Sequence, residues 1–482
     1  MTRVAVLLLA ALAAGCVTVS PPAVEPISYA YVVVGPDGQG VARAIVSAAT
    51  CPGIDIDGAT LPMIVRAPAQ RLAQRMGQAK ASDFPVTVCE RALPASAQRV
   101  VLAGRALPLP KATPSRIVVL GDTGCRLYSG PFGSLFQPCN DLAQWPFARV
   151  AAAAAATAPD LVIHVGDYHY RESACPPEMS AAGPPQGARP LGGGRSEATH
   201  RGDHASGCGG SPWGYGFDAW NADFFAPARP LLAAAPWIVV RGNHETCDRA
   251  GQGWWRTLDP RALAPRQDCN DVADDDVGDY SAPYAVPIGN GERVLVFDSS
   301  NAGNLPIPAD SVAYRTYRAQ LAQAFAASAP AARTFFAAHH PPLAFAANPR
   351  QRDSPYTGNA ALQATLGSLF GGTLFPPPVA AVFSGHIHAF EAVTFTTGQP
   401  PQFVFGDGGT AADEPLPDPF PPHLTPLPGA TVRDLRYTTR FGFATLDRAE
   451  DGWTLTAYDV AGAPMEFCTL AQRQAACKPI AR

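Results

Sequence analysis

Leu161-Val162-Ile163-His164-Val165-Gly166-Asp167-Tyr168-His169-Tyr170 is an apolar run of strand length that breaks at a glycine into a carboxylate and a row of polar-tipped rings. A buried strand that turns sharply at glycine delivers its next side chains to one rim of a sheet. The device recurs at Ile117–Leu120 before Gly121-Asp122-Thr123-Gly124 and at Trp237–Val240 before Gly242-Asn243-His244-Glu245. It recurs again at Thr334–Ala338 before His339-His340-Pro341, and at Val379–Phe383 before Ser384-Gly385-His386-Ile387-His388. Helical candidates lie between these runs, most clearly Pro146 to Ala156, where Pro146 suits a first helical position and Pro159 stops the run. Later strands are expected at Gln402–Phe405, Phe441–Leu446 and Trp453–Tyr458. The pattern is that of an α/β catalytic region with layered sheets.

The five strand ends supply Asp122, Asp167, Asn243, His339, His386 and His388, a set of oxygen and nitrogen donors suited to two borderline-hard cations. Two such ions about 3.5–4 Å apart polarise a phosphoryl group, generate hydroxide at ordinary pH and stabilise a leaving oxygen. A carboxylate shared between them belongs at the centre of such a site.

In this order the blocks resemble the calcineurin-like metallophosphoesterase superfamily, and more closely its purple acid phosphatase branch. Most of the superfamily opens with D-x-H, whereas this chain reads Asp122-Thr123-Gly124; its second block, Gly166-Asp167-Tyr168-His169-Tyr170, fits the branch pattern G-D-x-x-Y. The resemblance implies a four-layer αββα sandwich over residues 113–482. It also implies a centre of Fe(III) plus a divalent metal (Fe, Zn or Mn). Asp122, Asp167, Tyr170 and His388 would hold the ferric ion, and Asp167, Asn243, His339 and His386 its neighbour. His244 would stabilise the phosphate or protonate the leaving group, and Glu245 would orient His244. The implied activity is an acid phosphatase-like phosphomonoesterase. Phosphodiester or pyrophosphate hydrolysis on the same scaffold is the alternative, and a surface binding protein without the chemistry is a third reading.

Outward from the blocks, residues 20–112 carry short β-branched runs separated by turn residues, as expected for a small N-terminal β-sandwich domain. Proline-rich Leu107 to Pro114 reads as a stiff linker to the catalytic domain. Residues 1–16 are a charged n-region, a short apolar stretch and Ala13-Ala14-Gly15-Cys16, a signal peptide that resembles a lipobox. Acylation of Cys16 would make a periplasmic or outer-membrane lipoprotein, and a lipid at Cys16 would be the protein's one tie to a membrane. Simple secretion is the alternative. Setting Cys16 aside leaves ten of the eleven cysteines, an even number suited to an oxidising compartment. Nearest-neighbour pairing gives five local disulfides: 51–89, 125–139, 175–208, 247–269 and 468–477.

The 36 Lys and Arg against 40 Asp and Glu in 482 residues give a net charge of −4, with no basic field to hold a nucleic-acid backbone. The expected partner is a small phosphate ester. Residues 171–216 and 408–430 read as long functional loops. His164, inside an apolar run, is expected to be a core histidine; His169 and His340 lie next to the blocks; His200 and His204 belong to the first long loop. The Asp-rich stretch Asp268 to Asp279 lacks the order of a calcium loop and reads as solvated, and Trp254-Trp255 suits either a substrate groove or the core.

Overall fold

The computed structural model describes residues 27–75, 78–130, 133–176, 206–326 and 333–480. The export segment with Cys16, and His200 and His204, lie outside them.

Two-residue alternation builds the layers. In the strand Arg116–Leu120, Ile117 and Val119 enter one core while Val118 and Leu120 enter another. This strand lies within an eleven-stranded sheet, paired in parallel with Leu161–His164, which pairs in parallel with Trp237–Val239. The second sheet has seven strands and contains the parallel series Glu292–Phe297, Arg333–Ala338, Val379–Ser384 and Gln402–Phe405. Between the sheets, Ile117, Val119, Ile163 and Ile238 share a core with Val294, Phe335, Phe383 and Phe403. Helices Phe147–Ala156 and Ala226–Ala234 cover the outer face of the first sheet through Phe147, Val150, Leu231 and Leu232. Val312–Ala326 and Ala360–Phe370 cover the second through Tyr317, Leu321, Leu362 and Leu366. The architecture is therefore the expected helix–sheet–sheet–helix sandwich. Because the central strands are parallel, their C-terminal ends, where all five blocks follow, share one rim.

The N-terminal β-sandwich is built into this frame. Ile27–Val34, Gly40–Val46, Thr87–Ala92 and Ile64–Ala67 continue the eleven-stranded sheet, joined by parallel pairing of Val33 with Trp237. A four-stranded sheet that includes Gly53–Ile56 and Val100–Leu102 closes over them, burying Val32, Ala42, Ala44, Ile54, Ile56 and Leu102. The physical reason for the shared sheet is that Trp237–Val239 would otherwise present an unpaired edge. Two buried arginines fasten the joint: Arg43 Nη1 donates to the Thr257 carbonyl at 2.9 Å and Arg66 Nη2 to that of Trp255 at 2.7 Å, and both pair with Glu90.

All five local disulfides are present. Cys125–Cys139, Cys175–Cys208 and Cys247–Cys269 clip the segments after the first three blocks, each worth about 3–4 kcal/mol in the chain-entropy account. Trp254 and Trp255 are both core residues. The aspartates of the Asp-rich stretch are exposed or half-buried, as expected of a solvated loop, and several of them are paired. Asp275 pairs with Arg75, Asp274 and Asp276 pair with Arg266, and Asp279 accepts the Cys247 N–H. Among the described residues no helix is long and apolar enough to cross a membrane.

Candidate metal centre

Three of the block residues hold left-handed backbone despite carrying side chains: Asp122 at φ 53°, Asp167 at φ 57° and His386 at φ 72°. Such conformations cost of order 1–3 kcal/mol each and persist where the surroundings over-determine them. Here they swing side chains back over the sheet rim. Room for this comes from missing Cβ atoms. A Cβ on Gly242 would lie 2.0 Å from Asp167 Oδ1, and one on Gly124 would lie 2.8 Å from both the Tyr170 backbone nitrogen and Asp223 Oδ2. Gly124 and Tyr170 are thus sterically linked: a side chain at 124 would displace the loop that carries Tyr170.

The seven donors fall into two groups that share one oxygen. Tyr170 Oη lies 2.8 Å from Asp122 Oδ1, 2.7 Å from Asp167 Oδ2 and 2.9 Å from His388 Nε2. In the second group, His339 Nε2 lies 3.1 Å from the same Asp167 Oδ2 and 3.0 Å from Asn243 Oδ1, and His386 Nδ1 lies 2.9 Å from Asn243 Oδ1. The ligand atoms of Asp167, His339 and His386 all fall within 4.8 Å of one another. The ring nitrogens turned away from the centre are tied down, His339 Nδ1 to the Val165 carbonyl at 2.9 Å and His388 Nδ1 to the Ala411 carbonyl at 2.8 Å. That is how metal-binding imidazoles are oriented.

The electrostatics carry the same implication. Burial pushes Asp122 and the Tyr170 phenol well above their usual ranges. Asp167 is held well below, because His339 and His244 outweigh the cost of its burial. Burial works against charge on His339 too, yet Asp167 keeps it up at about 9. Three acidic groups around one buried oxygen cannot all ionise against a single imidazolium, and cations relieve that crowding. The donor set, its sharing of Asp167 and its anchored imidazoles fit a pair of metal ions.

His244 stands over the first group, its ring centroid 3.8 Å from that of Tyr170. Its orienting partner is Glu172, whose Oε1 lies 2.8 Å from Nδ1 and is itself clamped by Arg249. This corrects the expected role of Glu245. The Glu245 carboxylate accepts the backbone N–H groups of Asp167, Tyr168, His169 and Gly242, so it buttresses the Asp167 loop and leaves the His244 ring to Glu172. Burial, then Arg249, pushes His244 down to about 4, while the Glu172 charge works upward. Glu172→Gln therefore moves the His244 titration to lower pH. A rate that needs the imidazolium should then fall off earlier as pH rises, and the loss of a charged hydrogen bond should lower kcat roughly 10–100-fold. An unshifted pH–rate profile would remove Glu172 from this role.

Of the remaining histidines, His164 is a core residue stacked on Tyr168, with Nε2 3.1 Å from Thr123 Oγ1. His340 is buried behind His386, with Nδ1 3.2 Å from Ser299 Oγ, and His169 is buried against Tyr215 and Trp220. Asp223, which no block signals, accepts the backbone N–H groups of Cys125 and Tyr170 and so locks the first two blocks together.

Five of the seven donors, Asp167, Tyr170, Asn243, His386 and His388, open with His244 into a cavity of about 510 Å³ whose walls add Arg126, Tyr128, Glu172, Tyr215, Asp248, Arg249, Asn304 and Asp413. Asn304 Oδ1 lies 3.0 Å from His386 Nε2.

The profile of calcineurin-like phosphoesterases matches residues 115–390, more than half of the chain. The chain belongs to the calcineurin-like phosphoesterase family. As a member it is a metal-dependent phosphoesterase. No curated protein sequence matches the chain. Among solved structures, a purple acid phosphatase from yellow lupin (Lupinus luteus) seeds aligns with a TM-score of 0.51 at 15% identity, over 94% of this chain and 74% of that one. PhoD aligns at 0.47 and 12% identity, over 94% and 91% of the two chains. A dimetal phosphatase from Danio rerio aligns at 0.34 and 12% identity, over 76% and 98%. The likeness to the lupin structure is one of fold.

Proposed function

We propose that this calcineurin-like phosphoesterase is an exported, purple acid phosphatase-like hydrolase of phosphate monoesters, with a ferric and a divalent ion in its two donor groups. The observation that carries the reading is Tyr170 Oη, within 2.9 Å of two carboxylates and an imidazole in the group that lacks the histidine of D-x-H members. Asp122, Tyr170 and His388 would hold the ferric ion, Asn243, His339 and His386 the divalent ion, and Asp167 both. When bound, such a pair supplies Lewis acidity toward the phosphoryl oxygens and an activated water. The chain's own residues do the rest. Asn243 and His386 orient the second group, Glu172 and Arg249 fix the ring of His244, and His244 holds a proton within reach of a leaving alcohol. Five disulfides favour an oxidising compartment and support export.

Tyr170→Phe tests the branch. A phenolate on ferric iron gives a charge-transfer band, so the wild-type protein should be pink or purple. The substitution, which removes one oxygen and keeps the ring, should abolish the band while leaving some of the second metal and residual hydrolysis. A colour that survives Tyr170→Phe, or a wild-type protein with two divalent ions and no iron, would leave only the wider phosphoesterase assignment.

A further inference from the structure

Two guanidinium groups reach the cavity, and they differ in one respect. Arg249 is neutralised by Glu172. Arg126 has no such partner: no carboxylate among the described residues pairs with it, whereas Arg116 and Arg171 each have one, and its Nε is buried with no hydrogen-bond acceptor among those residues. Its guanidinium carbon lies 5.5 Å from the centroid of the Tyr170 ring and 5.9 Å from that of Tyr128. It lines the same cavity as Asp167, Tyr170, Asn243, His386 and His388. Its backbone is fixed, the N–H donating to Gln137 Oε1 at 3.0 Å and the preceding Cys125 held in a disulfide. A guanidinium held beside a reaction site with a donor left over is costly until an anionic acceptor arrives.

The chemistry of the acceptor follows from the charge. A phosphate monoester dianion offers three non-bridging oxygens, while a diester offers two, with an ester group in place of the third and one negative charge fewer. A planar guanidinium fork matches phosphate oxygens in geometry as well as sign. We infer that Arg126 binds the third non-bridging oxygen of the substrate phosphoryl group and so selects monoesters over diesters. This rests on the phosphoesterase reading above and adds to it the residue that sets the substrate class.

The test compares 4-nitrophenyl phosphate with bis(4-nitrophenyl) phosphate, which share a leaving group, at a pH where the monoester is dianionic. Arg126→Ala should lower kcat/KM for the monoester about 10–100-fold and that for the diester by at most about threefold. Arg126→Lys, which keeps the charge without the fork, should recover part of the loss. Metal content by elemental analysis should match the wild type in both variants. A parallel loss on both esters, a loss of metal, or no loss at all would overturn the proposal and leave Arg126 as packing for Tyr170. Should Arg126→Ala fail to fold, the ester ratio of Arg126→Lys against wild type decides. If the metal-loaded wild type hydrolyses neither ester, it is the phosphoesterase reading that fails.

Discussion

Asp167→Asn should strip both metals from the protein and reduce hydrolysis of phosphate esters by at least about 10³-fold. The size of the effect follows from the position of one atom. Asp167 Oδ2 lies 2.7 Å from Tyr170 Oη in one donor group and 3.1 Å from His339 Nε2 in the other. An amide keeps the volume and the hydrogen bond that Oδ1 accepts from the His244 backbone at 2.9 Å, so the loop should stay in place. What disappears is the negative charge that compensates two cations at once. Elemental analysis of the purified variant is the check. Retention of both ions would show that Asp167 does not bridge, and loss of one alone would assign it to a single ion.

His244→Ala should leave metal content unchanged and lower kcat about 10²–10⁴-fold for alkyl phosphates, whose leaving alkoxides need a proton. His244 sits over Tyr170 but gives its Nδ1 to Glu172, so its removal empties no donor position. An activated aryl leaving group departs without help, and its rate should fall far less. Equal losses for alkyl and aryl esters would instead make His244 a phosphate-binding group.

The candidate donors were legible because each block follows a strand that reads as buried on its own: Leu161–His164 and Val379–Ser384 are buried at every position, and the first candidate donor after each, Asp167 and His386, comes within three positions of the strand end. The five disulfides were legible because every pair is local. What sequence alone did not show is side chains that act from outside the blocks. Asp223 fixes the Tyr170 backbone from 53 residues away, and Glu172 displaces Glu245 as the partner of His244 because the compact turn Asn243–Glu245 sends the Glu245 carboxylate back to the N–H of Gly242. Arg126 adjoins the first block, and its one signal was a basic residue four positions after Asp122. The union of the N-terminal sandwich with the catalytic sheet rests on a pairing between Val33 and Trp237, two positions that no local pattern connects. The hairpin of Tyr284–Gly289 and Glu292–Phe297 was hidden by Pro287, although Asn290 at φ 53° and Gly291 at φ 69° make the turn that an Asn-Gly pair favours.

The metal content of the purified wild-type protein decides whether Tyr170 belongs to a two-ion centre. Two ions per chain are expected, one of them iron; a chain that saturates at a single ion would overturn the two-ion reading.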